Sequence, residues 1–171
     1  RLLRRRRARW LPPPSAGILL SRQRGEDIEV LLIKPGGPFW RNKDAGAWSI
    51  PKGEVDEGED HAAAARREFH EELGTRPEGD LIPLGEVRQR SGKRVRAFAL
   101  EGDLDAAAAH SMTFEMEWPP RSGRMASFPE VDRAAWFDLD AARGKLIAGQ
   151  VPLLDRLADH LQAPRPDEQA E

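Results

Sequence analysis

Gly53-Glu54-Val55-Asp56-Glu57-Gly58-Glu59, followed after seven residues by Arg67-Glu68-Phe69-His70-Glu71-Glu72-Leu73-Gly74, is the stretch that decides how this chain reads. From Glu59 to Leu73 there is no glycine or proline, and alanine, glutamate and arginine dominate. That composition predicts a helix over 59–73, with Gly74 as its C-terminal stop. On such a helix Glu68, Glu71 and Glu72 are spaced i, i+3 and i+4, so their carboxylates share one face. Ala62, Ala65, Phe69 and Leu73 form the neighbouring apolar stripe, which would anchor the helix to a sheet. Like charges at this spacing destabilise a bare helix by roughly 0.2–0.5 kcal/mol per pair. A hard divalent cation removes that repulsion, and carboxylate oxygens are what Mg²⁺ prefers. Three glutamates alone fit a solvated acidic face equally well.

The sequence ahead of the helix changes that balance. Gly53, Glu59, Arg67, Glu68, Phe69, Glu71, Glu72 and Gly74, at these intervals, resemble the signature box of the Nudix hydrolases. One position departs: the last, usually bulky and aliphatic, is Thr75 here. Val131-Asp132-Arg133-Ala134-Ala135-Trp136-Phe137 is also similar to the strand before the final helix in many members. The resemblance implies an α/β fold, a Nudix-type α/β/α sandwich with a mixed β-sheet, and Mg²⁺-dependent hydrolysis of a nucleoside diphosphate linked to another group. Glu68, Glu71 and Glu72 would hold one or more Mg²⁺ ions, with Mn²⁺ as the alternative, helped by the Gly53 backbone carbonyl. Glu59 would support the loop–helix junction through Arg67. The physical logic is that phosphate charge repels an attacking hydroxide. A bound Mg²⁺ neutralises that charge and lowers the water's pKa, and a carboxylate within hydrogen-bond reach takes the proton. Family members differ in which carboxylate does so. Glu71 is one candidate. Glu115 and Glu117 are others, because Phe114, Met116 and Trp118 alternate with them and would point to the opposite side of a strand. The alternative is that both face solvent.

Outside the box, Ala16–Leu20 and Val30–Ile33 read as two strands joined by a hairpin, with Pro35-Gly36-Gly37-Pro38 ending the second. Trp48-Ser49-Ile50 is a brief strand-like piece. Leu81–Val87, Val95–Leu100 and Ala134–Phe137 read as further strands, and 138–146 and 151–161 as helices, the last with Leu153, Leu154, Leu157 and Leu161 at helical spacing. Strands and helices mix without regular βαβ alternation, which predicts a mixed sheet with helices on both faces.

Three features point toward a substrate. Lys52 lies just before the metal loop, where a point charge meets a phosphate. Trp40, in a polar loop, is a candidate for stacking on a base, whereas Trp48 suits the core at least as well. Arg88, Arg90, Lys93, Arg94 and Arg96 bracket Ser91-Gly92, which reads as a hairpin tip able to grip a polyphosphate tail or simply to be solvated. The Pro51-Lys52-Gly53 approach resembles hydrolases of dinucleoside polyphosphates and some RNA-cap and RNA-pyrophosphate hydrolases. The expected substrate is therefore a dinucleoside polyphosphate such as diadenosine tetraphosphate. The alternatives are an oxidised nucleoside triphosphate, an ADP-sugar, an RNA 5′ end, or a non-catalytic nucleotide-binding module.

The chain's 171 residues suit one domain, expected over 15–161, between a flexible basic arm (1–14) and a flexible tail (162–171). Formal net charge is −2, so no global field recruits nucleic acid, and the expected partner is a small nucleotide. The sequence has no cysteine, which removes disulfides, zinc–thiolate sites and a cysteine nucleophile, and suits a cytoplasmic location. No apolar run reaches the roughly 20 residues that span a bilayer. The four histidines are too scattered to form a metal set.

Overall fold

Along each central strand successive apolar side chains turn to opposite sides, and this alternation splits the interior into two layers. The computed structural model describes residues 11–162. Strand β1 (Ser15–Arg24) and strand β2 (Asp27–Pro35) form the expected hairpin. Strand β3 (Lys52–Glu54) pairs antiparallel with the start of β1. Helix α1 (His61–Leu73) follows, then β4 (Ile82–Arg88) and β5 (Arg94–Glu101). A separate hairpin, β6 (Thr113–Glu117) and β7 (Met125–Pro129), precedes β8 (Val131–Asp138), α2 (Leu139–Lys145) and α3 (Pro152–Gln162). The main sheet runs β4-β5-β1-β2-β8, with β1 and β5 parallel and its other pairs antiparallel. The mixed sheet expected from the sequence is what forms.

Ile18, Leu20, Leu31, Ile33, Phe98 and Leu100 face α1, where they meet Ala64, Ala65, Phe69 and Leu73. Leu19, Val30, Leu32, Val95 and Ala97 face the other way, onto Ala142, Leu146, Leu153, Leu154 and Leu157. The result is an α/β/α sandwich. Helix α1 starts two residues later than expected because Asp60 is its cap, accepting from the Ala63 amide at 3.1 Å. Gly74 closes it at φ 75°, its N–H donating to the His70 carbonyl. Helix α3 runs to Gln162, one residue past the expected domain edge. Of the expected basic arm only 11–14 lies among the described residues, and there the Pro14 carbonyl accepts from the Val55 amide at 2.9 Å. Residues 163–171 of the expected tail lie outside them. No helix among the described residues is long and apolar enough to cross a membrane.

The β6–β7 hairpin was legible only as an alternation. Phe114 pairs with Phe128, Met116 with Ala126, and Trp118 meets Phe39 edge-on at 5.8 Å. This face packs against loop 36–40, and the odd-numbered residues of β6 are exposed.

Phe69 is 1% exposed at the centre of the contact between α1 and the sheet. Phe69→Ala should lower unfolding free energy by about 3–5 kcal/mol in a urea titration, with little change in the slope. A loss below about 1 kcal/mol would show that α1 is not held by this side chain.

Candidate active site

Two of the three helix carboxylates are pressed onto β3. A Cβ built on Gly53 would fall 2.0 Å from the Glu68 carboxylate carbon, so only glycine leaves room for that group. One residue earlier, the Lys52 amide donates to Glu72 Oε2 at 3.0 Å. Burial raises the proton affinity of Glu72 strongly and that of Glu68 to a lesser degree, with neighbouring carboxylates adding to both.

Arg67 is the counter-ion of the cluster. Its guanidinium donates to Glu59 Oε2 and Oε1 (both 2.9 Å), to Glu68 Oε1 (2.7 Å), more weakly to Glu71 (3.3 Å), and to the Glu54 carbonyl (2.9 Å). The pairing pulls Glu59 down to about 2, mainly through the Arg67 hydrogen bonds and then through the Asp56 amide that Glu59 also accepts. Among the described residues no three acidic or histidine groups are already gathered as a ligand set. The Arg67 fork engages Glu68 and Glu71, and Glu72 is turned onto the Lys52 amide. The donors are all oxygens on one helix face, and Gly53 leaves the space beside them. That chemistry fits a hard divalent cation.

A cleft of 530 Å³ opens beside Glu72. Lys52, Trp40, Gln89, Arg90, Ser91, Lys93 and Glu130 line it as well. Burial lowers the proton affinity of Lys52, and the Lys93 charge lowers it further. The cleft therefore carries both signs of charge, Glu72 and Glu130 together with Lys52, Lys93 and Arg90.

A family model, NUDIX domain, matches residues 11–157. The chain belongs to the Nudix family. It is 28% identical to an RNA pyrophosphohydrolase of Rhodospirillum rubrum over 88% of this chain and 92% of that one. It is 32% identical to an RNA pyrophosphohydrolase of Rhizobium meliloti, over 58% and 74%. In fold it is similar to the solved Ap4A hydrolase of C. elegans, at 23% identity and a TM-score of 0.59, covering 86% of this chain and 97% of that one. The Nudix fold and the enzyme class expected from the box are thereby established: this is a Nudix hydrolase, acting on pyrophosphate linkages.

Within this Nudix chain the residues singled out from sequence fall into two groups. Gly53, Glu68 and Glu72 come together, with Glu71 joined to them through Arg67, while Lys52, Trp40 and Arg90 line the adjoining cleft. Arg88 sits exposed on β4 and is not among the lining residues. Glu115 and Glu117 are exposed on the outer side of the β6–β7 hairpin, and neither lines the cleft. The alternation around them was correctly read, but its aromatic side faces the protein and its acidic side faces solvent. Trp48 is 2% exposed, donates to Asp44 Oδ1 and packs edge-on against Phe137, so it is a core residue. Thr75 is exposed just beyond the α1 cap, at the edge of a 410 Å³ hollow that Leu20, Phe69 and Leu104 also line. Sequence reasoning missed Glu130, whose charge reaches both Glu68 and Glu72. The Pro129–Val131 turn ahead of β8 was the only signal available.

Glu59 has a folded pKa of about 2 against an ordinary 4.5, so its contribution is present above 4.5 and is lost as pH falls toward 2. The melting temperature of the native sequence should therefore drop more steeply between about pH 5 and about pH 3 than that of Glu59→Gln. Parallel melting curves would show that the Arg67–Glu59 pair does not stabilise the fold.

Proposed function

We propose that this chain hydrolyses a pyrophosphate linkage within a phosphate chain attached to a nucleoside, using Mg²⁺, with Mn²⁺ as the alternative. The observation that carries this reading is the cleft in which the box carboxylate Glu72 lies beside Lys52, Lys93 and Arg90. Glu68, Glu71, Glu72 and the Gly53 carbonyl would hold the metal. Once bound, the ion would offset phosphate charge and make a water more acidic.

The remaining roles belong to the chain's own groups. Lys52, with Arg90 beside it, offsets charge on the phosphate chain, and Trp40 offers a ring for the base. A carboxylate takes the proton as water oxygen bonds to phosphorus and the bridging oxygen leaves. Glu130 fits that role better than Glu115 or Glu117, because it lines the cleft and they do not.

The proposed substrate is a dinucleoside polyphosphate such as diadenosine tetraphosphate, cut into two nucleotides. Several phosphates in a row engage more of the cations than a diphosphate does. A second reading, the 5′-triphosphate end of RNA, is supported by the RNA pyrophosphohydrolases among the relatives. A small nucleotide acted on in the cytoplasm is the partner and place this reading carries.

Glu71→Gln and Glu72→Gln should each cut turnover at saturating Mg²⁺ by at least about 100-fold while circular dichroism stays unchanged. Near-normal turnover in both variants would reject the metal assignment. Glu130→Gln should lose turnover yet keep metal affinity if Glu130 is the base, and a parallel fall in metal affinity would make it a ligand instead. Lys52→Ala should raise KM more for diadenosine tetraphosphate than for ADP-ribose. In a substrate panel scored by product identity, a higher kcat/KM for ADP-sugars or oxidised triphosphates would overturn the substrate reading and leave the metal chemistry standing.

A further inference from the structure

Gln150 is a fully buried polar residue between α2 and α3 that the proposed chemistry does not use. Its Oε1 accepts from the Ile50 amide at 2.9 Å, and its Nε2 donates to Ser49 Oγ at 2.9 Å and to Gln89 Oε1 at 3.1 Å. Ser49 and Ile50 lie three and two residues before Lys52. Gln89 opens the β4–β5 turn that carries Arg90 and Lys93. One side chain thus joins the two segments that present cations to the cleft.

The backbone around Gln150 serves the same junction. A Cβ on Gly149 would fall 2.8 Å from the Arg88 carbonyl oxygen and 2.8 Å from the Gln89 Cα, so the turn presses directly on the hairpin backbone. On its other side, the Ile147 amide donates to the Trp48 carbonyl at 2.8 Å.

No backbone pairing links 49–52 to 88–93 directly, since β3 pairs with β1 and β4 with β5. Among the described residues neither Lys52 nor Lys93 has an ion-pair partner. Their like charges push the two segments apart. A buried amide costs free energy unless it is fully hydrogen-bonded, and an apolar side chain of similar volume would fill the space without needing partners. What the amide adds is a direct tie between two segments that the sheet joins only through β1.

We propose that Gln150 is a positioning residue that holds Lys52 and Lys93 at the separation at which both engage one phosphate chain. This deepens the reading of the cleft as a polyphosphate site and rests on it. The carboxylates Glu68, Glu71 and Glu72 are carried by α1, so loosening the cation spacing weakens binding of the chain more than it slows bond cleavage.

The experiment is a double-mutant cycle on the full chain with Mg²⁺ and diadenosine tetraphosphate, using Gln150→Met and Lys93→Ala. Gln150→Met should raise KM about 10-fold while kcat stays within about twofold, and Lys93→Ala should raise KM as well. In the Lys93→Ala background, Gln150→Met should add little more. Gln89→Met removes only the hairpin side of the link at a half-buried position, and it should reproduce the KM effect even if Gln150→Met folds poorly. A KM rise that persists in full in the Lys93→Ala background, or a fall in kcat at unchanged KM, would make Gln150 merely structural and overturn the inference. If Lys93→Ala raises KM but neither glutamine variant does, the inference fails alone. If Lys93→Ala leaves KM unchanged, the polyphosphate reading of the cleft fails, and the inference with it.

Discussion

Arg67 donates at once to Glu59, Glu68, Glu71 and the Glu54 carbonyl, and this one guanidinium fastens loop 53–60 to helix α1. The constraint behind it is electrostatic. Four carboxylates, those of Glu59, Glu68, Glu71 and Glu72, are brought close on one short helix and the loop before it, and two of them are substantially buried. Bringing them together costs free energy unless a positive charge sits among them. Arginine suits the position better than lysine because its planar fork reaches several acceptors in fixed directions. Glu59 takes the bidentate bond and stays ionised. Glu68 and Glu72, held against β3, instead gain proton affinity. That asymmetry separates Glu59, which braces the loop, from Glu68 and Glu72 beside β3.

The rest of the cleft is built from different elements. Lys52 comes from the start of β3, Lys93 and Arg90 from the β4–β5 turn, and Trp40 from the loop after β2. The sheet order places β3 and the β4–β5 turn at the same end of β1 and β5, because β3 pairs with Ser15–Gly17 and the turn feeds Val95 opposite Ser15. A carboxylate on a packed helix thus meets cations brought by a strand start and a turn. The first depends on local helix geometry and the second on tertiary contacts.

This difference explains what the sequence could reveal. Glu68, Glu71 and Glu72 were legible because helical spacing alone puts them on one face, whereas Gly53 entered only through the resemblance of the segment to the Nudix box, and its close approach to Glu68 did not show. The two-layer core was legible in the irregular mixing of strands and helices, which called for helices on both faces of the sheet. Glu130 was not legible, because its approach to Glu68 and Glu72 depends on the β6–β7 hairpin returning the chain to the helix. The same hairpin misdirected attention to Glu115 and Glu117. A period of two shows that the faces differ but not which one is inside, and here Phe39 and Gly37 decide it by covering Phe114 and Trp118. Arg88 and Arg90 were indistinguishable in a run of cations until the hairpin register put one on the strand and the other at the turn.

The way Glu130 is held extends this reasoning. Its N–H donates to the Met112 carbonyl and its carbonyl accepts from the Gly36 amide, both at 2.9 Å. Gly36 lies so close beneath that a Cβ would fall 1.8 Å from the Pro129 carbonyl oxygen. Met112 in turn is tied to the end of α1 by its amide bond to the Glu71 carbonyl. The backbone of Glu130 is therefore fixed from three directions while its side chain is exposed on the cleft side. None of the hairpin's side chains belongs to the buried core. Changes along β6 and β7 can thus alter what lies around the cleft without a large loss of fold stability, provided the stem bonds at Met112 and Glu130 survive. The part of the molecule that brings the distant carboxylate to the cluster is also the part the core constrains least, so differences in substrate among proteins of this fold can accumulate there at little cost to folding.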